Sequence, residues 1–263
     1  MPGVLDINLV PVPGGEYARL VTSWSTGRTE QIVRISPFSC QDAPVTVHAY
    51  RAYLDDIGHQ PEHVVEVWDG EWHPGPTFGD ANSHGDDKAV VGVSYEDALR
   101  FIDWLNHQQR GGYRLPTEAE FEYVARANCS CDGACWSARQ ARPSASGPRL
   151  PSGRPGGSPW PVRYGSANAL AIWDLHGLIW QWCLDWYAPY PADDLVIDPR
   201  GPTSMPDTTI WNGVEHPPGH VIRGGSFSYP PSFAECYHRH YSLSEDRNVN
   251  LGFRVVRDEG DNS

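Results

Sequence analysis

Helical periodicity is confined to three short stretches of this 263-residue chain, and each stretch carries its own start or stop chemistry. Thr46 precedes Val47, Tyr50, Leu54 and Ile57, apolar residues at three- and four-residue steps, and Gly58 ends the pattern. Ser94-Tyr95-Glu96-Asp97 is a capping box with Asp in the place of Glu; Ala98, Phe101, Ile102 and Leu105 form the stripe behind it, and Gly111-Gly112 stops it. Thr117-Glu118-Ala119-Glu120 is a regular capping box that opens a helix through Phe121, Val124 and Ala125. The rest of the core must come from strands and loops, so the expected class is α+β with little regular structure.

Two short strands are expected in 7–17 and 31–35, irregular structure over 58–90, and a long surface insertion over 128–167. Leu170–Leu175 and Leu178–Cys183 read as buried, aromatic-rich segments that need the first half to pack against, which favours one domain over 1–257. The stretch from Val221 to Val256 reads as strand, loop, strand, loop, strand, and 258–263 as a disordered tail. With 11 Trp, 12 Tyr and 7 Phe beside 26 Gly and 24 Pro, the composition suits loops pinned by aromatic clusters rather than disorder.

A formal net charge of -13 repels phosphate backbones and anionic lipid, so neither nucleic acid nor a membrane is an expected partner. The apolar runs are far shorter than the roughly 20 residues of a membrane span, and Met1-Pro2-Gly3-Val4-Leu5-Asp6 has no basic region before an apolar stretch. A cytoplasmic protein with reduced thiols is the expectation for its six cysteines.

Five collinear motifs carry a resemblance. They are Pro44-Val45-Thr46 with Tyr50; Val91-Gly92-Val93-Ser94-Tyr95-Glu96-Asp97-Ala98; Tyr113-Arg114-Leu115-Pro116-Thr117-Glu118-Ala119-Glu120-Phe121-Glu122-Tyr123; Trp180 with Trp182; and Arg223-Gly224-Gly225-Ser226 with Asn250-Leu251-Gly252-Phe253-Arg254. In this order they resemble the sulfatase-modifying-factor, or formylglycine-generating-enzyme-like, family over nearly the whole chain. The resemblance implies a variant of the C-type lectin fold. It also implies one of three activities: copper-dependent conversion of a peptide cysteine to formylglycine, iron-dependent joining of sulfur or selenium to histidine derivatives, or ligand binding without catalysis, as in variable proteins of diversity-generating retroelements.

The copper branch needs two thiolates about five residues apart, shortly after Gly-Gly-Ser. Here Phe227–Cys236 holds only Cys236, at a position that matches neither ligand, which argues against formylglycine generation. The iron branch takes three histidines from a separate helical domain with a His-x-x-x-His-x-Glu motif; His59 and His63 have the first spacing, but Pro61 lies between them and Val65 stands where Glu is needed. They read as polar loop histidines. The family calcium motif Gly-Asn-Val-Trp-Glu-Trp is Gly177-Leu178-Ile179-Trp180-Gln181-Trp182 here, so calcium at that place is not expected.

A different donor set is available if 235–241 is a strand. Cys236, His238 and His240 would then share one face and could ligate iron, copper or zinc, with Tyr237, Arg239 and Tyr241 on the other. The leading expectation is an oxidoreductase using that metal on a peptide or small molecule, with Tyr229 and Tyr241 as candidate catalytic residues near the pocket. The alternative is a binding module whose surface lies between Ser226 and Gly252, where Tyr and Ser give contact area and adaptable hydrogen bonds. Cys129, Cys131 and Cys135 form a second soft cluster, open to reduced thiols, a small zinc site or a redox pair.

Overall fold

The computed structural model describes residues 5–23, 27–68, 71–83, 85–109, 111–127, 159–211 and 213–259. Helices α1 (Val47–Ile57), α2 (Phe78–Ala81), α3 (Tyr95–Gln108) and α4 (Glu118–Arg126) are joined to several small sheets. None of these helices is long and apolar enough to cross a membrane. The three expected helix starts form as the sequence dictates. Thr46 Oγ1 accepts from the Ala49 amide at 3.1 Å. Both halves of the Ser94/Asp97 and Thr117/Glu120 boxes close, at 3.1 and 3.2 Å in the first and 2.8 and 3.1 Å in the second. Gly58 ends α1 in the left-handed region at φ 64°, a conformation that costs glycine nothing.

The sheet that positions the candidate site runs in the order Arg239–Ser242, His220–Arg223, Trp180–Trp186, Leu251–Gly252. Its first two pairings are antiparallel, and Leu251 runs parallel to Trp180. A second sheet joins Leu9–Val12, Phe38–Gln41, Val256–Asp258 and Tyr113–Arg114, and a third joins Gly15–Ser23, Gly27–Ile35 and Leu195–Ile197. The apolar stripes of α1 and α3 meet on Trp180, Trp182 and Phe253, where Tyr50 stacks on Phe101 at 5.6 Å. A second core, under α4, holds Phe38, Phe121, Cys40, Cys183 and Cys236.

Four expectations change. The run 7–17 breaks at Pro13-Gly14 into strands of two different sheets. Residues 58–90 contain a hairpin, Val64–Trp68 with Trp72–Thr77, and the short α2, started by Thr77 Oγ1 accepting from Asp80. Pro74 and Gly75 lie inside the second strand, and a register shift between Val64 and Glu66 breaks the alternation that would have marked the first. The last strand runs through Asp258, whose carboxylate pairs with Arg114 at 2.6 Å, one residue into the expected tail. Finally, the strand expected over 235–241 begins only at Arg239. Residues 128–158, with Cys129, Cys131 and Cys135, lie outside the described residues.

Candidate functional site

Trp180 opens the central strand, and its ring is the floor of an aromatic group built by the segment that follows Arg223-Gly224-Gly225-Ser226. Tyr229 meets it edge-on at 5.6 Å, Phe233 at 6.4 Å, His238 at 6.1 Å and His240 at 5.5 Å. Phe233 also contacts Tyr229 at 5.2 Å and His238 at 4.6 Å. Gly225 lets this segment fold back on itself: at φ 66°, a Cβ there would lie 2.7 Å from the Phe233 carbonyl and 2.8 Å from the Ala234 amide. A 3-10 turn, Pro231–Ala234, then carries the chain to Cys236.

The backbone between that turn and the strand is clamped from below. Fully buried Arg223 donates to the Cys236 carbonyl at 2.7 Å and the Tyr237 carbonyl at 3.2 Å, and to Glu122 at 2.9 Å and Glu118 at 3.4 Å. Arg239 grips both oxygens of Glu118 at 2.8 and 2.6 Å and lies over the rings of Tyr187 and Tyr190. Arg239, expected on the far face, is therefore part of the scaffold. His176 adds a contact from its Nδ1 to the Ala234 carbonyl at 2.7 Å.

Above the clamp, polar groups are less fully satisfied. His238 Nε2 is buried, with no hydrogen-bond partner among the described residues. Burial, then the charge of Arg223 and the neighbouring His240, pushes the His238 pKa down to about 4, so the ring is neutral at physiological pH. Burial lowers His240 in the same way, although its Nδ1 lies against the Tyr241 backbone. Burial raises the Tyr229 phenol above its ordinary value. Beside them Asn250 donates to Ser228 Oγ at 2.6 Å, and Ser228 lies 3.1 Å from Ser226 Oγ.

The sequence-derived set is divided by this geometry. His238 and His240 do meet, on Trp180, with Tyr229. Cys236 does not join them in a three-donor group: it sits in the turn before the strand, out of the period-two register, buried in the core under α4. No group of three metal-capable His, Cys, Asp or Glu side chains occurs among the described residues, and of the expected Cys236, His238 and His240 only the two histidines share the Trp180 ring. Tyr241 belongs to a neighbouring ring group with Tyr187 at 5.6 Å and His216 at 5.7 Å, linked to the first through His240. His63 binds the Gly92 carbonyl at 2.9 Å and packs on Phe78, as a polar loop histidine does. Phe233 was not signalled by any donor pattern, whereas Ser228 and Asn250 fall within the Ser226–Gly252 surface of the alternative reading, with nothing in the sequence to show that they meet.

Comparison with known proteins fits this architecture. The family model for a sulfatase-modifying factor enzyme 1-like domain matches residues 7–259. Formylglycine-generating enzyme of Streptomyces coelicolor is 26% identical over 95% of this chain and 88% of its own length. Hercynine oxygenase of Mycolicibacterium smegmatis is 26% identical over 98% of this chain, which spans 62% of that enzyme. Among solved structures, PvdO from Pseudomonas aeruginosa superposes with a TM-score of 0.68 at 23% identity, covering 95% of this chain and 94% of PvdO. Treponema denticola variable protein 1 gives 0.68 at 20% identity, covering 96% and 95%. The chain belongs to the sulfatase-modifying-factor, formylglycine-generating-enzyme-like family and has its C-type-lectin-like α+β fold.

Proposed function

We propose that the chain is an oxidase-like, divergent member of this family that takes a small-molecule or peptide substrate against the Trp180 aromatic group, with the neutral His238 ring as its hydrogen-bond partner. One observation carries the reading: a neutral imidazole whose buried Nε2 has no partner among the described residues is set among aromatic rings in the segment after Gly-Gly-Ser. With the ring proton on Nδ1, such a nitrogen accepts a hydrogen bond from a substrate O–H or N–H group, and the rings hold a flat apolar portion beside it. Dioxygen as the electron acceptor is supported by the relationship to the mycobacterial oxygenase.

Formylglycine generation does not suit the residues present. Among the described residues the segment after Gly-Gly-Ser offers one thiol, Cys236, and it is packed in the core. Neither a copper-binding thiolate pair nor a three-imidazole iron centre fits the two imidazoles on Trp180, and no step is assigned to a metal.

A second reading, ligand binding without catalysis, is favoured by the Ser226, Ser228 and Asn250 hydrogen-bond chain beside these rings, which suits adaptable recognition. Dioxygen uptake separates the two readings. Purified protein is challenged with panels of phenols, indoles and short peptides, beside the His238→Phe variant. Uptake that disappears in the variant supports the oxidase; saturable binding of a probe without uptake in the wild type supports the binding module and overturns it.

A further inference from the structure

Around the strand residue next to Trp180, hydrogen bonds converge from two buried side chains. Arg254 Nε donates to Gln181 Oε1 at 2.6 Å, Nη1 to the Gln41 carbonyl at 3.2 Å, and Nη2 to the carbonyls of Trp173 at 2.9 Å and Asp174 at 3.0 Å. Gln181 Nε2 donates to the same Asp174 carbonyl at 2.9 Å. Both side chains are 0% exposed, and among the described residues no carboxylate forms an ion pair with Arg254. The orientation of the amide is fixed by chemistry: a guanidinium only donates, so Oε1 must face Arg254, and Nε2 must face the carbonyl.

This is the place where the family resemblance implies a calcium ion, and the residues do not fit one. Calcium takes six to eight oxygens at roughly 2.3–2.6 Å, usually with carboxylates among them. Here the Asp174 carbonyl already accepts two N–H groups, the Gln181 oxygen is turned to a cation, and Leu178, 2% exposed, offers no oxygen in its side chain. A divalent ion would have to displace an amide N–H group and sit beside a fixed positive charge.

We propose that Gln181, standing where the family motif has Glu and held by the shared Arg254, makes the ion unnecessary. The neutral Gln181 amide accepts from the guanidinium and donates to the Asp174 carbonyl, and with the guanidinium's own fork it ties together three segments: the Gln41 strand, the Trp173–Asp174 turn and the Trp180 strand. Asp174 holds φ 56°, in the left-handed region, so its carbonyl is aimed by a turn that these hydrogen bonds keep in place. The floor of the candidate site is thereby braced without calcium, whatever the site binds.

Thermal unfolding of the whole chain tests this in excess chelator and in millimolar calcium, together with elemental analysis of protein purified without chelator. The expected result is coincident melting curves and no stoichiometric calcium. Calcium at one per chain, or a rise of several degrees in melting temperature on adding it, overturns the proposal, because an ion bound only by the folded state must stabilise it. The Gln181→Met variant, which lacks both the N–H donor and the oxygen, should melt lower than wild type in either solution. Restoration of its melting temperature by calcium would also overturn the proposal. If the variant does not accumulate, the wild-type curves and calcium content decide alone.

Discussion

The two sides of the 234–239 turn differ in how completely their polar atoms are satisfied. Below it, Arg223, Arg239, Glu118, Glu122 and Arg126 form a buried lattice in which each charge meets an opposite charge, with carbonyl oxygens taking further donors. Above it, the His238 nitrogen has no partner among the described residues, and the rings around Trp180 are uncharged or held neutral. Unpaired buried polar atoms cost the fold free energy, whereas a completed lattice holds geometry. On the proposed reading, the lower side is scaffold and the upper side is the part left for a ligand.

Breaking the lattice should have the largest effect. Arg223→Met removes the donor to Glu122 and both donors to the turn carbonyls, and leaves Glu122 with Arg126 as its remaining cation. Removing one partner of a buried ion pair costs about 3–5 kcal/mol. Urea unfolding should show a midpoint lowered by that order, with little change in slope. A loss below about 1 kcal/mol would place Arg223 outside the scaffold and undo the contrast.

The lower side was largely legible in the sequence and the upper side only in part. Capping boxes are local, so Ser94/Asp97 and Thr117/Glu120 predicted α3 and α4 from four residues each. The same box hid a second role: Glu118 reaches Arg239, 121 positions away, a contact no local pattern encodes. His238 and His240 both lie against the Trp180 ring, while Cys236 is set apart because the strand begins four residues later than expected. The error has a physical source. Arg223 takes the Cys236 and Tyr237 carbonyls that a longer strand would have offered to its neighbour, and Arg223 lies 13 residues before Cys236. The hairpin in 58–90 was missed for a related reason, since Pro74 and a bulge conceal its alternation.

His220 sharpens the comparison, because it is an unpartnered atom in the interior rather than at the site. It is 4% exposed, sandwiched between Tyr95 at 3.5 Å and Trp186 at 3.8 Å, with Nδ1 lacking a partner. Burial pushes its pKa from 6.5 down to about 4. The unfolded chain therefore takes up a proton first, so stability is full above pH 6.5, falls as pH drops toward 4, and levels off below that. Each such histidine contributes a slope of about 1.4 kcal/mol per pH unit within the window. His238 acts in the same sense; Asp185, raised to about 6 by burial and Glu118, acts in the opposite one. Stability of His220→Leu measured across pH 4 to 6.5 should lose one histidine's worth of slope relative to wild type. An unchanged slope would show that His220 does not stay neutral in the fold.

The smallest effect on stability, and the one that bears most on function, is expected at His238 itself. If the lower lattice alone fixes the turn, the imidazole contributes little to folding, and Phe in its place removes a polar atom that the fold leaves unmatched. Leaving a buried donor or acceptor unsatisfied costs about 1–3 kcal/mol, so His238→Phe should be as stable as wild type or slightly more stable, with the ring still packed on Phe233 and Trp180. Binding or turnover should nonetheless be lost, because the acceptor nitrogen has gone while the aromatic surface remains. The paired measurement is a urea midpoint and a dioxygen-uptake or probe-binding assay on the same preparation. A variant that keeps its activity would remove His238 from the site. A variant that unfolds more easily would show that the histidine belongs to the scaffold, and that an unmatched nitrogen on Trp180 is not by itself the mark of a site.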